Sequence, residues 1–503
     1  MNEPDSLSTD HDGMGVGPRE QRVWQAICFA ILAAWCVVQY PRDMNFEWYA
    51  FGDQGSNFAV TSLVNQGLRP AVDFGYQYGL LGLSIGRWWF RLLGESPWSY
   101  YAACQVFNVA ILAGVLRFAA AMRFDRASWA LIAATIPFAF QPLFPSFVHG
   151  LERMFLVWAL AAHTKQQRPF ALALLVAACL AKPALGYFYG LVLLIEIALD
   201  IWRKEESFWL PFGKACLPAI ATTCGLGLWL SMEFGMESLL RTLLPLSGAA
   251  SYRTMNFGFF GEGRNFWNPP GARLGYYLGT PAGFWILSSL LVFAIGLVAL
   301  VRPFKAPCRE ILVTIALLHL AFISLMFGHA YNWTQYAVLL PMGLASFPVR
   351  RRPVQLLLGC LALAAVLGLR SQLTASLRTW KSFEYRAELG GAWIDRDEWV
   401  ELSQLLELAP TEVVEIGHTG GGDRLKTVGF KMAPPVGFWY LPGLALPEEV
   451  ARKERQIREA QALLICIAAE NEFEHYPEFK QALEGFHLRF TGKRYKLMLR
   501  NPP

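Results

Sequence analysis

Long stretches of this chain contain almost no charged residue, and this pattern restricts the fold more than any other feature of the sequence. Most of the stretches are long enough to cross a hydrocarbon core of about 30 Å as helices. They lie at 23–40, 97–121, 127–144, 168–202, 211–232, 282–301, 310–327, 332–349 and 353–369. Hydrophobic residues make up 54% of the chain and charged residues 17%, which is outside the usual range for soluble domains. Because backbone inside a bilayer must satisfy its own hydrogen bonds, the sequence predicts an all-α polytopic membrane bundle.

Basic residues gather in every second short loop, and this alternation predicts the orientation of the helices. The basic loops lie near 19–22, 123–126, 165–168, 203–204, 302–309 and 350–352. Lys and Arg resist translocation, so we assign this side to the cytoplasm of a bacterial inner membrane. The assignment predicts about eleven transmembrane helices. Their predicted ranges are 23–40, 97–121, 127–144, 150–164, 168–183, 184–202, 211–232, 282–301, 310–327, 332–349 and 353–369.

Three parts of the chain follow from this topology. Residues 1–20 are predicted to be a disordered cytoplasmic N-terminus, and 21–370 form the transmembrane domain. Two of its loops on the predicted periplasmic side are long. We call residues 41–96 the first outer loop and residues 233–281 the later periplasmic loop. An odd number of crossings places the remaining residues, 371–503, in the periplasm.

Residues 79–93 are apolar enough to span a membrane, but they carry Arg87 and Arg91 one helical turn apart. Counting this segment as a crossing would break the alternation of basic loops downstream. We therefore predict a helix lying in the membrane interface. In that arrangement Leu80, Leu83 and Trp88 face lipid, and both arginines reach the headgroups.

Ordinary soluble composition returns in residues 371–503, which predict a small periplasmic α/β domain with an accessory role. The expected elements are a helix at 395–408, a strand at 412–417, an irregular segment at 418–445, a helix at 447–461, a strand at 462–468, a helix at 474–485 and a hairpin at 487–499.

The first outer loop carries a resemblance to a known family. An acidic residue after the first span is followed by a short helix, RPAVDFGYQYGLLG, an interfacial helix and LLGES. This order resembles the C-type (GT-C) polyprenyl-phosphate-sugar glycosyltransferases, such as the dolichyl-phosphate-mannose protein mannosyltransferases and the lipid A aminoarabinose transferases. The order of elements matches over about 23–202, and residue similarity is concentrated in 50–96. The family usually has Asp-Glu at its catalytic position, where this chain has Asp53 and Gln54.

The resemblance implies transfer of a sugar from a polyprenyl-phosphate donor to an acceptor hydroxyl on the periplasmic face, with inversion and with Asp53 as general base. Such a reaction needs a carboxylate to accept the hydroxyl proton and cations to stabilise the phosphate leaving group. Asp53 also stands directly before a predicted helix at 54–66, so capping that helix is the alternative role.

Further candidates for substrate binding come from the position of polar residues near the outer face. Phosphate could be bound by Arg87, Arg91, Arg153 or Lys182, and snorkelling towards the interface is the alternative for each of them. Asp73 could orient the acceptor or a metal, or could form an Asx-turn. In the later regions of the chain, the candidates are Arg264, in a loop suited to a lid or an aromatic belt, and His329.

A divalent metal ion is a possible cofactor, and His149 with Glu152 is the weak candidate for its site, since one His and one carboxylate alone do not specify a metal. The expected partners are the lipid-linked sugar, the bilayer and an acceptor that could be a glycan, a lipid or a protein. Nucleic acid is not an expected partner. Two other functions stay open, namely a transporter or flippase and a polysaccharide polymerase or ligase.

The predicted topology can be tested with reporter fusions. An enzyme that is active only after export should be active when fused after Arg378, because the predicted C-terminal domain faces the periplasm. The same reporter fused after Lys165, in a predicted cytoplasmic loop, should be inactive and serves as the control. Activity at Lys165 with none at Arg378 would reverse the orientation.

Overall fold

A computed structural model describes residues 15–50, 53–140, 147–204, 208–244, 342, 370, 373–409, 411–416, 421–437, 445–467 and 476–501. Apart from residue 342, the four predicted spans between 282 and 369 lie outside the described residues, as does most of the later periplasmic loop.

The helices of the described N-terminal half are joined by turns and loops. The helices are α1 (Pro18–Asp43), α2 (Phe46–Ala50), α3 (Asp53–Asn65), α4 (Leu80–Leu93), α5 (Pro97–Ala121), α6 (Arg126–Ala139), α7 (Phe147–Thr164), α8 (Arg168–Ala181), α9 (Pro183–Lys204), α10 (Trp209–Phe234) and α11 (Met236–Leu243). Among the described helices α1, α5, α9 and α10 are long and apolar enough to cross a membrane, and α8 is a shorter apolar helix. The predicted mostly helical membrane fold is therefore confirmed, whereas the number of crossings is not.

Local sequence signals explain where several helices begin. Helix α5 starts at a proline, and the backbone N–H of Ser99 donates to the Ser96 hydroxyl oxygen at 3.1 Å. Helix α6 is capped by Asp125, whose carboxylate accepts from the Ser128 N–H at 2.9 Å. Proline at the first helical position and an oxygen-bearing cap both satisfy the helix start without an internal hydrogen bond. The observed range of α5 agrees with the predicted span 97–121.

Helix α4 has 14 residues, and at about 1.5 Å per residue it is roughly 21 Å long, which is less than the hydrocarbon core. The predicted orientation of this helix is corrected in part. Leu80 and Leu83 are buried inside the protein, while Trp88 is exposed. Gly82 faces α7 so closely that a Cβ there would lie 2.9 Å from Val148 Cγ2, so one face of α4 packs on protein and not on lipid.

The C-terminal domain contains two sheets. Strands β1 (Phe383–Arg386) and β2 (Ala392–Asp395) form an antiparallel hairpin. The larger sheet has the order β3-β4-β6-β5 and consists of β3 (Val413–Ile416), β4 (Ala462–Cys466), β5 (Phe486–Thr491) and β6 (Tyr495–Arg500). Among these described strands only the β3 and β4 pair is parallel. The described helices of this domain include α12 (Arg396–Leu408), α13 (Pro447–Glu459) and α14 (Pro477–Leu483), and a 3₁₀ segment spans Gly421–Val428.

One buried carboxyl group of this domain is sensitive to pH. Glu398, in the first turn of α12, is fully buried and accepts a hydrogen bond from the Tyr495 hydroxyl at 2.6 Å. Arg494 Nη1 lies 3.3 Å from the second oxygen. Burial raises the pKa of Glu398 from its ordinary 4.5 to about 7, with the Tyr495 hydrogen bond and Arg494 opposing the shift and Glu47 and Asp395 adding to it.

This pKa predicts how the stability of the domain depends on pH. Between about pH 4.5 and pH 7 the folded state binds more protons than the unfolded state, so stability falls as pH rises through this interval. We expect Glu398→Gln to unfold at a higher temperature than the wild type at pH 8, with the difference shrinking towards pH 5. The measurement is thermal unfolding at both pH values, with the exposed Glu407→Gln as control. An equal difference at both pH values would contradict the prediction.

Candidate functional site

The predicted base stands at the start of helix α3. Asp53 is its first residue, one position earlier than the sequence predicted, and residues 51–52 lie outside the described residues. One turn further along, Phe58 stacks on Phe90 of α4 at 5.0 Å between ring centroids and lies 5.8 Å from Tyr100 of α5. These contacts attach α3 to both helices. The choice between base and cap for Asp53 stays a prediction.

Four of the predicted residues come together where α7 begins and α8 ends. We call His149, Glu152, Arg153 and Lys182 the Lys182 cluster. Lys182 Nζ lies 3.2 Å from His149 Nδ1 and 3.8 Å from Glu152 Oε2. Glu152 is completely buried, and Arg153 and Lys182 are 2% and 8% exposed. Burying charged side chains inside a membrane protein is energetically costly, and such charges often mark functional sites.

The position of Lys182 follows from the local sequence AKPALG. Lys182 ends α8, and Pro183 begins α9 directly after it. The first N–H groups of a helix lack partners within the helix and carry the positive end of its dipole. The end of α8 carries the negative end of its dipole at the same junction, so the positive charge that would attract an anion here comes from the Lys182 ammonium.

The first outer loop lies against this cluster. The Gly79 N–H donates to the Ala181 carbonyl at 3.1 Å, and a Cβ on Gly79 would lie 2.0 Å from the Leu180 carbonyl oxygen. The Tyr78 ring packs edge-on against His149 at 5.6 Å. A glycine at position 79 is therefore required for the loop to reach the α8 terminus. The loop and the Lys182 cluster are therefore in direct contact.

The two arginines of α4 have different surroundings. Arg87 is buried, and its Nη1 lies 2.6 Å from Glu233 Oε1 of α10 while Nη2 donates to Asn65 Oδ1 at 3.2 Å. Ser84 also donates to Glu233. Arg87 thus joins α4 to α3 and α10. The prediction that its side chain reaches the lipid headgroups is wrong. Arg91 is exposed and lies over the Trp88 ring at 5.1 Å, as expected of an interfacial residue.

Asp73 closes the turn that leads into the YQYG segment. Its Oδ2 accepts hydrogen bonds from the Arg69 N–H at 2.8 Å and from Arg69 Nε at 3.1 Å. The hydrogen bond from the Arg69 side chain lowers the pKa of Asp73. These contacts favour the turn-forming role over acceptor binding. Arg264 and His329, the other two predicted substrate-binding residues, lie outside the described residues.

His149 and Glu152 were the candidate metal ligands. The His149 Nδ1 and Glu152 Oε2 atoms lie 4.0 Å apart, and across the described ranges no His, Cys, Asp or Glu joins them to make a group of three. The Lys182 ammonium is within 4 Å of both. An ammonium between these two groups supplies the positive charge that a metal would otherwise provide, so this pair does not fit a metal ion.

Sequence analysis missed a carboxylate in α1. This helix continues to Asp43, three residues beyond the predicted span, and Asp43 is only 3% exposed. Within the described part of the chain, both of its carboxylate oxygens, Gln39 Nε2 and Trp35 Nε1 lack hydrogen-bond partners. The three side chains recur every four residues, and that spacing on one helical face was the signal available in the sequence.

No protein-family model and no curated protein sequence matches this chain. A solved structure of ArnT from Cupriavidus metallidurans bound to undecaprenyl phosphate is similar, with 12% identity and a TM-score of 0.51 over 97% of this chain and 100% of that chain. This chain has the GT-C fold. A second GT-C structure, the arabinofuranosyltransferase AftD from Mycobacteria, has 13% identity and a TM-score of 0.45 over 97% of this chain and 42% of that chain. With its apolar helices and this fold, the chain is an integral membrane protein.

The buried pair of Lys182 and Glu152 gives a stability prediction for this GT-C bundle. Replacing Lys182 with Met removes one of the two cations beside the buried Glu152 carboxylate, and breaking a buried ion pair on one side costs up to about 3–5 kcal/mol. The double variant Lys182→Met, Glu152→Gln removes both charges and should recover most of that loss. Thermal unfolding in detergent of the wild type, both single variants and the double variant measures the coupling. Additive effects of the two substitutions would show that the pair is not coupled.

Proposed function

We propose that this chain is a glycosyltransferase that moves a sugar from a polyprenyl-phosphate donor to an acceptor hydroxyl on the periplasmic face of a bacterial inner membrane. The observation that carries the proposal is the Lys182 cluster, a buried set of charges directly beneath the first outer loop in a GT-C fold. A transporter would place its binding groups near the midplane of the bilayer. The Lys182 cluster lies at the helix ends.

The cluster suits the phosphate of the donor. Lys182 and Arg153 bring two positive charges against one buried carboxylate, Glu152. The undecaprenyl phosphate bound in the ArnT structure is the kind of lipid that such a site would bind. The apolar tail can remain in the bilayer while the phosphate meets Lys182 at the membrane surface.

The transfer step then proceeds as a single displacement. The Asp53 carboxylate takes the proton of the acceptor hydroxyl, and the oxygen attacks the anomeric carbon. The bond between that carbon and the phosphate oxygen breaks, and its electron pair leaves with the phosphate. Lys182 and Arg153 stabilise the negative charge that develops on the phosphate. Attack on the face opposite the leaving group inverts the anomeric centre.

The other candidates have different roles. Arg87 and Asp73 hold the framework of the site through Glu233 and Arg69, and we assign Arg91 to the membrane interface. Arg264 and His329 remain proposed contacts to the sugar or the acceptor. We assign no metal ion to the reaction, because Lys182 stands beside the pair of residues that would hold one.

The base assignment can be tested by Asp53→Asn, which keeps the size of the side chain and its ability to cap a helix. General-base catalysis contributes about 10²–10⁴-fold, so turnover should fall by that factor while affinity for the donor is retained. Transfer rate, donor binding and thermal unfolding are measured on the same purified protein.

Asp125→Asn is the matched control, because Asp125 caps α6 through its side chain at the end predicted to face the cytoplasm. This variant shows what the same substitution does when only a cap is altered, which is a stability change of at most about 0.5–2 kcal/mol. If Asp53→Asn behaves like Asp125→Asn and keeps its turnover, Asp53 is a cap and not the base. Asp73→Asn and Asp43→Asn would then be the next variants to assay.

A further inference from the structure

The C-terminal domain shares its core with the first outer loop. Phe46, in α2, is completely buried in the same hydrophobic cluster as Leu389, Ala392 and Ile394 of the C-terminal domain. The backbone of the two parts is also joined, since the Trp393 N–H donates to the Met44 carbonyl at 2.7 Å. A residue only seven positions before Asp53 is therefore part of the core of a domain more than three hundred residues away in the sequence.

A second attachment lies in the loop 66–79, which follows the end of α3 in the chain. Glu449 of α13 is completely buried, and its Oε2 accepts hydrogen bonds from the Gly75 N–H at 2.8 Å and the Leu446 N–H at 2.7 Å. Arg452 Nη2, one turn further along α13, donates to the Asp73 carbonyl at 2.8 Å. Two residues of one helix thus hold two neighbouring backbone groups of the loop.

The body of α3 is also covered from this domain. The 3₁₀ segment Gly421–Val428 lies against α2 and α3, and its Leu425 is completely buried in the domain core. The helix that begins at Asp53 is therefore held before its start by Phe46, along its length by the 3₁₀ segment, and after its end by Glu449 and Arg452.

We propose that the C-terminal domain positions the first outer loop, and that Arg452 and Glu449 are positioning residues for Asp53. The inference rests on the proposed function, because it concerns the placement of the proposed base. A displacement of a catalytic group by about 1 Å can lower a rate by about 10²-fold. The proposal replaces the expectation that this domain is an accessory that transfer does not need.

The main test is Arg452→Ala in the full-length protein. Arg452 is partly buried and its side chain contacts the loop, whereas the sheet of the domain is built from other residues. We expect kcat to fall about tenfold or more, with the KM for the donor changed by less than about twofold. Amide hydrogen exchange at Gly75 should become faster, while exchange in β3 and β4 stays as in the wild type.

Arg458→Ala is the matched control. Arg458 lies on the same helix and pairs with Glu454 at an exposed position, 2.8 Å between Nε and Oε1. It should leave both turnover and the exchange at Gly75 unchanged. Glu449→Ala and Glu449→Gln complete the set, since the amide oxygen of Gln can still accept a hydrogen bond. Glu449→Gln should therefore recover part of the turnover that Glu449→Ala loses.

Two results would overturn the inference. Faster exchange at Gly75 with unchanged kcat in Arg452→Ala would show that the loop is held but that its position does not matter for transfer. Unchanged exchange at Gly75 would show that Arg452 does not hold the loop. The second measurement needs no sugar transfer, so it is informative even if the wild type transfers none, a result that would contradict the proposed function itself.

Discussion

The buried ion pair between Lys182 and Glu152 is the interaction on which the outer end of the bundle depends. A lysine at the junction of two apolar helices is stable only if its charge is compensated, and Glu152 of α7 lies 3.8 Å away to do so. This requirement fixes the junction of α8 and α9 against α7. The close approach of Gly79 to the end of α8 then brings the first outer loop to the same place.

A site built in this way suits a substrate that is half lipid. The hydrocarbon tail of a polyprenyl phosphate stays in the bilayer, so the protein has to meet only its phosphate and sugar at the membrane surface. Buried charges at helix ends can bind the phosphate electrostatically without exposing polar backbone to lipid. The first outer loop and the C-terminal domain lie together on the same side of the bundle as the Lys182 cluster.

Much of the fold could be predicted from the sequence because the bilayer and the sheet impose simple periodic patterns. The range of α5 and the order of strands and helices in the C-terminal domain followed from charge-poor runs and alternation. The hairpin of β1 and β2 was missed, since four-residue strands carry little pattern. The wrong surroundings of Arg87 have a different cause. Its partner Glu233 lies 146 residues away, and no local pattern predicts a contact at that separation.

Local sequence patterns also identified the candidate residues, whereas their grouping depends on contacts between residues far apart in the sequence. His149, Glu152, Arg153 and Lys182 could each be singled out as polar groups near helix ends, but only the packing of α7 against α8 makes them one cluster. The dependence of the first outer loop on the C-terminal domain was equally invisible, since Phe46 reads as one more aromatic residue near the interface.

Asp43 must also be considered when the base is chosen. It is a second carboxylate on the side that we assign to the periplasm, ten positions before Asp53, and its oxygens have no hydrogen-bond partner among the described residues. A base must reach the acceptor hydroxyl, whereas Asp43 is 3% exposed at the end of a helix. Burial therefore favours a role for Asp43 inside the bundle. The assignment of Asp53 as the base rests on its place at the start of α3 and on the resemblance carried by the first outer loop.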